Sequence, residues 1–366
     1  MSETAAPRHL DVLTGIRGIA AWLVVLYHIR LSLADLLPPA AIAVLAKGYL
    51  AVDLFFVLSG FVIWYNYAER IRSGGTAQIR LFLWRRFARI WPLHAAILGA
   101  FGAFALLLRA TGRDASGYPF AEVPLHVALV QNWGFTSDLA WNHPAWSIST
   151  ETAAYLLFPV WALAVRWDRL SRVALGAVAA ALCGAVWALF AANGETGLGN
   201  DIAGLGLWRC LAEFALGTVL CLAWQSAQGL GGGRFGFALT ALGWTALGLI
   251  LPIPEPLLVP AAFALGLAAL LQARGWVQRA LSSRAAVYLG EVSYSTYLAH
   301  FLLFIVWKLL FVDASLQLGW AGLGGFVAVL AALSAGLYHG LEKPAQRWLN
   351  RHPPRWAGAG QRLPAN

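Results

Sequence analysis

The sequence predicts an all-α protein, a polytopic transmembrane helix bundle of about ten spans with both termini in the cytoplasm. Three observations carry that reading. Of the 366 residues, 60% are hydrophobic and only 12% charged, at a mean hydropathy of +0.65, where an ordinary soluble domain has roughly a quarter of its residues charged. About ten apolar stretches reach the roughly 17–25 residues that a crossing of hydrocarbon requires. Basic residues also segregate. With the N-terminus inside, 19 of the 26 Lys and Arg fall on the cytoplasmic side, while loops 193–201, 252–256 and 312–319 have none, which is the positive-inside pattern. The net charge of +9 therefore reports topology and needs no nucleic-acid partner.

The first span, 12–36, contains LTGIRGIAAWLVVLYH. This run is too long for a signal-peptide core and lacks a small-residue cleavage site after it, so it is retained. It holds Arg17 and His28 at membrane depth, where both are costly. Eleven helical steps bring the two side chains to one face, about 16 Å apart. A long anionic cofactor could lay its phosphates at Arg17 and its reactive end at His28. The plainer alternative has Arg17 snorkelling to the interface and His28 bonding a neighbouring helix.

Span two, 48–67, places Asp53 near its outer end and Ser59-Gly60 in its middle, where Gly60 suits close helix approach. Asp53 either orients a histidine or an arginine, or sits favourably in the positive first turns of its helix. Span three, 87–108, begins beside Arg86 and Arg89, which share a face. They suit a phosphate clamp and equally a cytoplasmic orientation signal. Span four, 146–165, opens with Trp146, and Ser147 and Glu151 follow on one face. A glutamate there needs a partner or a water-filled cavity: Glu151 could polarise His28 or hold a sugar hydroxyl, with Trp146 stacked on the sugar ring. The alternative is an interfacial aromatic belt, to which Trp133 and Trp141 would also belong, plus a carboxylate favoured by the helix start.

Spans five and six cover 171–192 and 204–225, and Arg209 and Glu213 in the latter, four apart, are expected to neutralise each other. Cys183, Cys210 and Cys221 read as small apolar residues within spans, and the three show no disulfide framework or zinc spacing. Spans seven and eight, 236–252 and 257–273, divide at Pro252-Ile253-Pro254-Glu255-Pro256, where one kinked helix is the alternative. Span nine, 287–310, carries Ser293, Tyr297 and His300 as one polar stripe, which lines an interior cavity or bonds neighbouring helices. Span ten is 321–341. Residues 1–345 thus form one membrane domain and 346–366 a mobile basic tail, and the one sizeable outside loop is 109–145.

In this order the motifs resemble acyltransferase family 3, polytopic inner-membrane acyltransferases. The resemblance spans nearly the whole chain. It rests on Arg17 and His28 with ten residues between them, VDLFFVLSGF at 52–61, Arg86-Phe87-Ala88-Arg89, Trp146-Ser147 with Glu151, SYSTYLAH at 293–300, and Glu342-Lys343-Pro344. It implies transfer of an acyl group, usually acetyl from cytoplasmic acetyl-CoA, to a hydroxyl of a carbohydrate or lipid-linked glycan at the outer face of the bacterial inner membrane. Family members also acylate macrolides and other small molecules. It further implies that His28 is catalytic and that Arg17, Arg86 and Arg89 bind the CoA phosphates, in a standalone form without the hydrolase-like domain that many relatives add. Neutral imidazole is well matched to taking a hydroxyl proton near pH 7, although a covalent acyl-histidine is a second route. Glu151 is a further catalytic candidate, and Asp53, Trp146, Ser147, Ser293, Tyr297 and His300 are candidates for substrate binding, with no metal. The rival class is a transporter or glycan flippase, which ten spans with buried polar residues would also suit, and a second rival is the unrelated membrane-bound O-acyltransferase fold.

Arg86→Ala and Arg89→Ala should chiefly weaken CoA affinity, read by equilibrium binding to membranes. A change confined to insertion orientation would leave only the topological role.

Overall fold

A computed structural model of the protein describes residues 8–227, 234–313 and 315–357, and these are helix, turn and loop without a strand. Helix α1 (Arg8–Ile29) carries Asp11 in its first turn, where a carboxylate complements the helix dipole, and ends in a 3-10 turn at Arg30–Leu33. After the short α2 (Pro39–Leu45), α3 runs Ala51–Ala110 and joins expected spans two and three through a segment that is itself helical. Its path breaks at Gly75, where φ of 58° and ψ of −146° suit a residue without Cβ. The two arms fold back on each other: the Tyr67 and Phe82 rings lie 5.0 Å apart, and Arg86 Nη2 donates to the Tyr67 hydroxyl at 3.0 Å. Nineteen residues of unbroken helix would separate that last pair by about 28 Å.

Then come α4 (Val123–Ala128), α5 (Trp146–Ala164), α6 (Arg172–Ala192) and α7 (Ile202–Ser226). The Ser171 and Asp201 side chains cap the last two by accepting from the amides of Ala174 and Gly204. Helices α8 (Arg234–Ile250) and α9 (Glu255–Leu271) form a hairpin, since Trp244 Nε1 donates to the Leu258 carbonyl at 3.0 Å. The proline-rich turn therefore divides two helices and does not kink one. Short α10 (Gly275–Leu281) and α11 (Arg284–Glu291) precede α12 (Ser293–Phe311), so expected span nine starts at Ser293 and not at 287. Helix α13 (Trp320–Leu337) passes through a five-residue π turn, Tyr338–Glu342, into α14 (Lys343–Arg351).

Six helical stretches among the described residues are long and apolar enough to cross a membrane, one of them holding both arms of α3. A pair bent by 100°, α9 with α10, would make a seventh. Helices α8 and α9 have 17 residues each, at the lower limit for a crossing. The expected tail begins as α14 and rests on α3: Trp84 Nε1 donates to the Leu349 carbonyl at 3.0 Å, and the Trp84 and Trp356 rings meet edge to face at 5.9 Å. Residues 358–366 of that tail lie outside the described residues.

The core follows the contact of α3 with α7 and α5. A Cβ on Gly60 would lie 1.9 Å from the Phe214 carbonyl oxygen, and one on Gly217 would lie 1.9 Å from that of Val57. The backbones of α3 and α7 therefore touch, as small residues permit in lipid, where dispersion and not the hydrophobic effect holds helices together. Helix α1 approaches α11 in the same way, with a Cβ on Gly290 falling 1.8 Å from the Thr14 carbonyl oxygen. That contact fixes the turn from which Arg17 projects.

Gly60→Leu should lower the melting temperature of the detergent-solubilised protein by several degrees or prevent its accumulation, because backbone on both sides cannot retreat. Gly99→Ala, with nothing within 4 Å of the added Cβ, should leave it unchanged.

Candidate functional site

A cavity of about 160 Å³ opens between α1, both arms of α3, α5 and α12. Its walls include seven of the residues singled out from the sequence: Arg17, Arg86, Arg89, Ser147, Glu151, Ser293 and Tyr297. The hairpin at Gly75 accounts for much of this, because it returns Arg86 and Arg89 to the side of α3 that already carries Ser59.

The three arginines differ in what holds them. Arg89 Nη1 forms an ion pair with Glu342, whose second oxygen accepts from Ser295 Oγ at 2.6 Å. Arg86 spends one nitrogen on the Tyr67 hydroxyl and packs over that ring, yet its buried Nε has no hydrogen-bond partner. Arg17 makes no ion pair or hydrogen bond among the described residues. A half-buried guanidinium with free N–H groups is a strong site for an anion, so Arg17 and Arg86 are the two available to a guest. Glu151 shares the cavity and accepts from Ser59 Oγ and from the Tyr155 hydroxyl, the latter at 2.6 Å. Its partners are these hydroxyls, and it makes no contact with His28. Tyr155 lies four residues after Glu151 on the same helix face, so spacing could have flagged it. Tyr67 carries no such signal, because only the hairpin brings it to Arg86.

The upper wall is Tyr297, whose hydroxyl meets Ser147 Oγ at 2.8 Å and donates to the Pro144 carbonyl at 3.0 Å. Behind it stands a histidine pair. His300, expected to bind substrate, is fully buried and faces His28 instead, Nε2 to Nδ1 at 3.1 Å. His300 Nδ1 lies 2.7 Å from the Tyr297 carbonyl oxygen, which only accepts, so that nitrogen carries the proton. The neutral His300 ring then accepts at Nε2. His28 Nδ1 is flanked by two acceptors, this Nε2 and the Val24 carbonyl at 2.9 Å, and must be the donor. Its Nε2 is left with a bare lone pair. The His28 ring is also held edge-on by Phe301 at 5.5 Å and by Tyr27 at 5.0 Å, so it faces protein and not lipid on these sides.

Three expectations need correction. Asp53, a candidate for substrate binding, lies outside the cavity, fully buried, and in keeping with the reading that it orients an arginine its carboxylate receives Arg209 in a two-pronged ion pair with both N–O distances at 2.6 Å. Arg209 also donates to the Leu198 carbonyl at 2.6 Å. The expected neutralisation of Arg209 by Glu213 gives way to this pair, because a facing carboxylate offers the planar fork a bidentate fit that an i,i+4 neighbour does not. Trp146 is buried edge to face on Phe56 at 5.7 Å, with the Arg209 guanidinium 5.5 Å from its centroid, and Trp141 is buried with its Nε1 on the Pro119 carbonyl at 3.1 Å. Neither is an interfacial belt ring.

Removing one partner of the Asp53–Arg209 pair should be expensive, since it strands a charge away from water. Asp53→Asn should cost about 3–5 kcal/mol of stability, seen as a lower melting temperature, and the double variant Asp53→Leu/Arg209→Met should recover most of the loss.

A protein-family model, the acyltransferase domain of family 3, matches residues 10–338. The chain is 30% identical to the acyltransferase MdmB of Streptomyces mycarofaciens, over 94% of each chain. It is 31% identical to protein 2 of the picA locus of Rhizobium radiobacter, over 43% of this chain and 76% of that one. It is 26% identical to a putative O-acetyltransferase of Staphylococcus aureus strain COL, over 42% of this chain and 24% of that one. No solved structure matches. Enzyme relatives replace the transporter that buried polar residues on many spans would also suit: the chain belongs to acyltransferase family 3, as a membrane enzyme that transfers acyl groups other than aminoacyl groups.

Proposed function

We propose that the protein moves an acyl group, acetyl in the first instance, from cytoplasmic acyl-CoA to a hydroxyl of a carbohydrate at the outer face of the bacterial inner membrane. The observation that carries this reading is the pairing of a cavity that holds Arg17 and the unpartnered Nε of Arg86 with a histidine whose Nε2 lone pair is free. A cavity of about 160 Å³ is close to the 150 Å³ that holds one benzene. It suits the acyl thioester and the end of the pantetheine arm, while the bulk of CoA extends past the arginines toward the cytoplasm. Arg17 and Arg86 are assigned to its phosphates. Arg89, paired with Glu342, shapes that wall and adds less binding. The S. aureus relative's name, a putative O-acetyltransferase, supports acetyl and oxygen as donor group and acceptor atom.

In this scheme the acceptor hydroxyl oxygen attacks the thioester carbonyl carbon as its proton passes to His28 Nε2. The carbon–sulfur bond then breaks, and the imidazolium returns the proton to the departing thiolate, giving an ester and free CoA. His300 acts as a positioning residue by accepting from His28 Nδ1, which keeps the lone pair on the reacting nitrogen. Meeting of thioester and imidazole requires the Tyr297 hydroxyl to leave Ser147 and open the upper wall. Glu151 holds the Ser59 and Tyr155 hydroxyls and balances the arginines. The topology assigned to this enzyme is the ten-span arrangement with both ends cytoplasmic, residues 1–345 forming the catalytic membrane domain.

Membranes supplied with radiolabelled acetyl-CoA and surface glycans of the producing cell should pass label to the glycan. His28→Ala should reduce that transfer by at least about a hundredfold while leaving acetyl-CoA affinity intact, and Arg17→Ala should weaken that affinity by about tenfold. Ordinary turnover in His28→Ala removes the imidazole from the mechanism.

A further inference from the structure

A second, smaller pocket lies within the segment that joins α3 to α5. His126, Gln131, Asp138, Asn142, His143 and Trp146 are among the residues on its wall. None of these is used by the donor reading above. Four of these six residues are more than nine-tenths buried, with 3% of His126, 5% of Gln131, 3% of Asn142 and 7% of Trp146 exposed. Yet Gln131 Oε1, Asn142 Oδ1 and both ring nitrogens of His126 have no hydrogen-bond partner. The nearest charge to His126 is Glu122, with Nε2 and Oε2 3.9 Å apart, beyond hydrogen-bond reach. Orphaned polar groups in such number are rare in native interiors, where each costs about 1–3 kcal/mol.

The orientation of the two amides is fixed. Gln131 Nε2 donates to the Ala145 carbonyl at 3.2 Å and Asn142 Nδ2 to the Leu298 carbonyl at 3.1 Å. Flipping either amide would set oxygen against oxygen, so both oxygens are left unpartnered at the pocket. The set is acceptor-rich: two amide oxygens, the Asp138 carboxylate and an imidazole nitrogen, beside the Trp146 indole. Several fixed acceptors converging on one small space are complementary to an O–H donor. The volume of about 10 Å³ is that of one water-sized group, so one hydroxyl arm enters while a ring that bears it stays outside.

The pocket also borders the chemistry. His143 on its wall stacks on Phe301 at 5.0 Å, and Phe301 meets His28 at 5.5 Å. Asn142 hangs from the turn of α12 that precedes His300. Residues 142–151 contribute to both pockets, Asn142, His143 and Trp146 to this one and Ser147, Ile148 and Glu151 to the arginine-lined cavity, while His28 lines neither and reaches His143 through Phe301.

We propose that this pocket within the α3–α5 segment is the acceptor subsite, and that it recognises a carbohydrate by taking one of its hydroxyl groups against Gln131, Asn142 and His126. The assignment rests on the donor reading for its role in transfer, and binding can be tested without it. The probes are the methyl glycosides of glucose, galactose, mannose and rhamnose, offered to the full-length protein in nanodiscs and read by saturation-transfer NMR. At least one should receive saturation from the wild type. The signal should fall at least fivefold in Gln131→Leu and in His126→Phe, which keep shape and lose the polar atoms, and it should persist in His28→Ala. Acetyl-CoA affinity should be unchanged in Gln131→Leu and His126→Phe, which also certifies their fold. No saturation of any of the four glycosides, or a signal that survives both pocket variants, overturns the proposal. A glycoside that binds here and yet takes no label from acetyl-CoA rejects the transfer chemistry and leaves the subsite standing.

Discussion

A charge cannot stay in hydrocarbon without a counter-charge or a polar guest, and the placement of helices in this protein follows from how each buried guanidinium meets that demand. Arg209 is met by Asp53 across the α3–α7 contact, and Arg89 by Glu342 at the end of the π turn. Each of those pairs ties together helices remote in sequence. Arg17 and the Nε of Arg86 have no carboxylate within ion-pair distance among the described residues, and they lie on one cavity whose only carboxylate in its wall is Glu151. The same rule that makes two arginines structural leaves the other two with capacity for an anion. A functional site here is the remainder once neutralisation is accounted for.

Close packing and the histidine pair convert that capacity into geometry. Backbone contact at Gly60, Gly217 and Gly290 leaves little play between α3 and α7 or between α1 and α11. Rigid placement of α1 then matters at His28, whose Nδ1 proton is shared between the Val24 carbonyl of its own helix and His300 Nε2 of α12. A shift of α12 by an ångström would break the contact with His300 and leave the Val24 carbonyl as the acceptor that keeps the proton on Nδ1. Tight glycine seams and the contact between the two histidines are therefore parts of one device.

Much of the donor cavity was legible in the sequence. Arg17, Arg86, Arg89, Ser147, Glu151, Ser293 and Tyr297 were placed by helical period and by the side of the membrane on which basic residues collect, both of which are local signals. What escaped is long-range. The partner of Arg209 lies 156 residues away and that of His28 lies 272 away, and no spacing rule reports which helices will touch. The segment between the expected second and third spans remains helical while Gly75 reverses its direction, and no spacing in the sequence announces that. The pocket within the α3–α5 segment left no trace either, since irregular chain has no period to read. All-α architecture followed from composition alone, whereas the tally of crossings depends on short helices such as α8 and α9 that sit at the limit of span length.

The π turn at Tyr338–Glu342 spreads its hydrogen bonds over one residue more than an α turn, so everything C-terminal to it is rotated relative to α13. Glu342 ends that turn and reaches Arg89, and α14 then carries Leu349 onto Trp84. A one-residue deletion there would restore ordinary winding and swing Glu342 off its arginine. The loosest coil in the molecule thus sets the angular phase of the closing helix, making the wall of the donor chamber sensitive to length changes far from any catalytic atom.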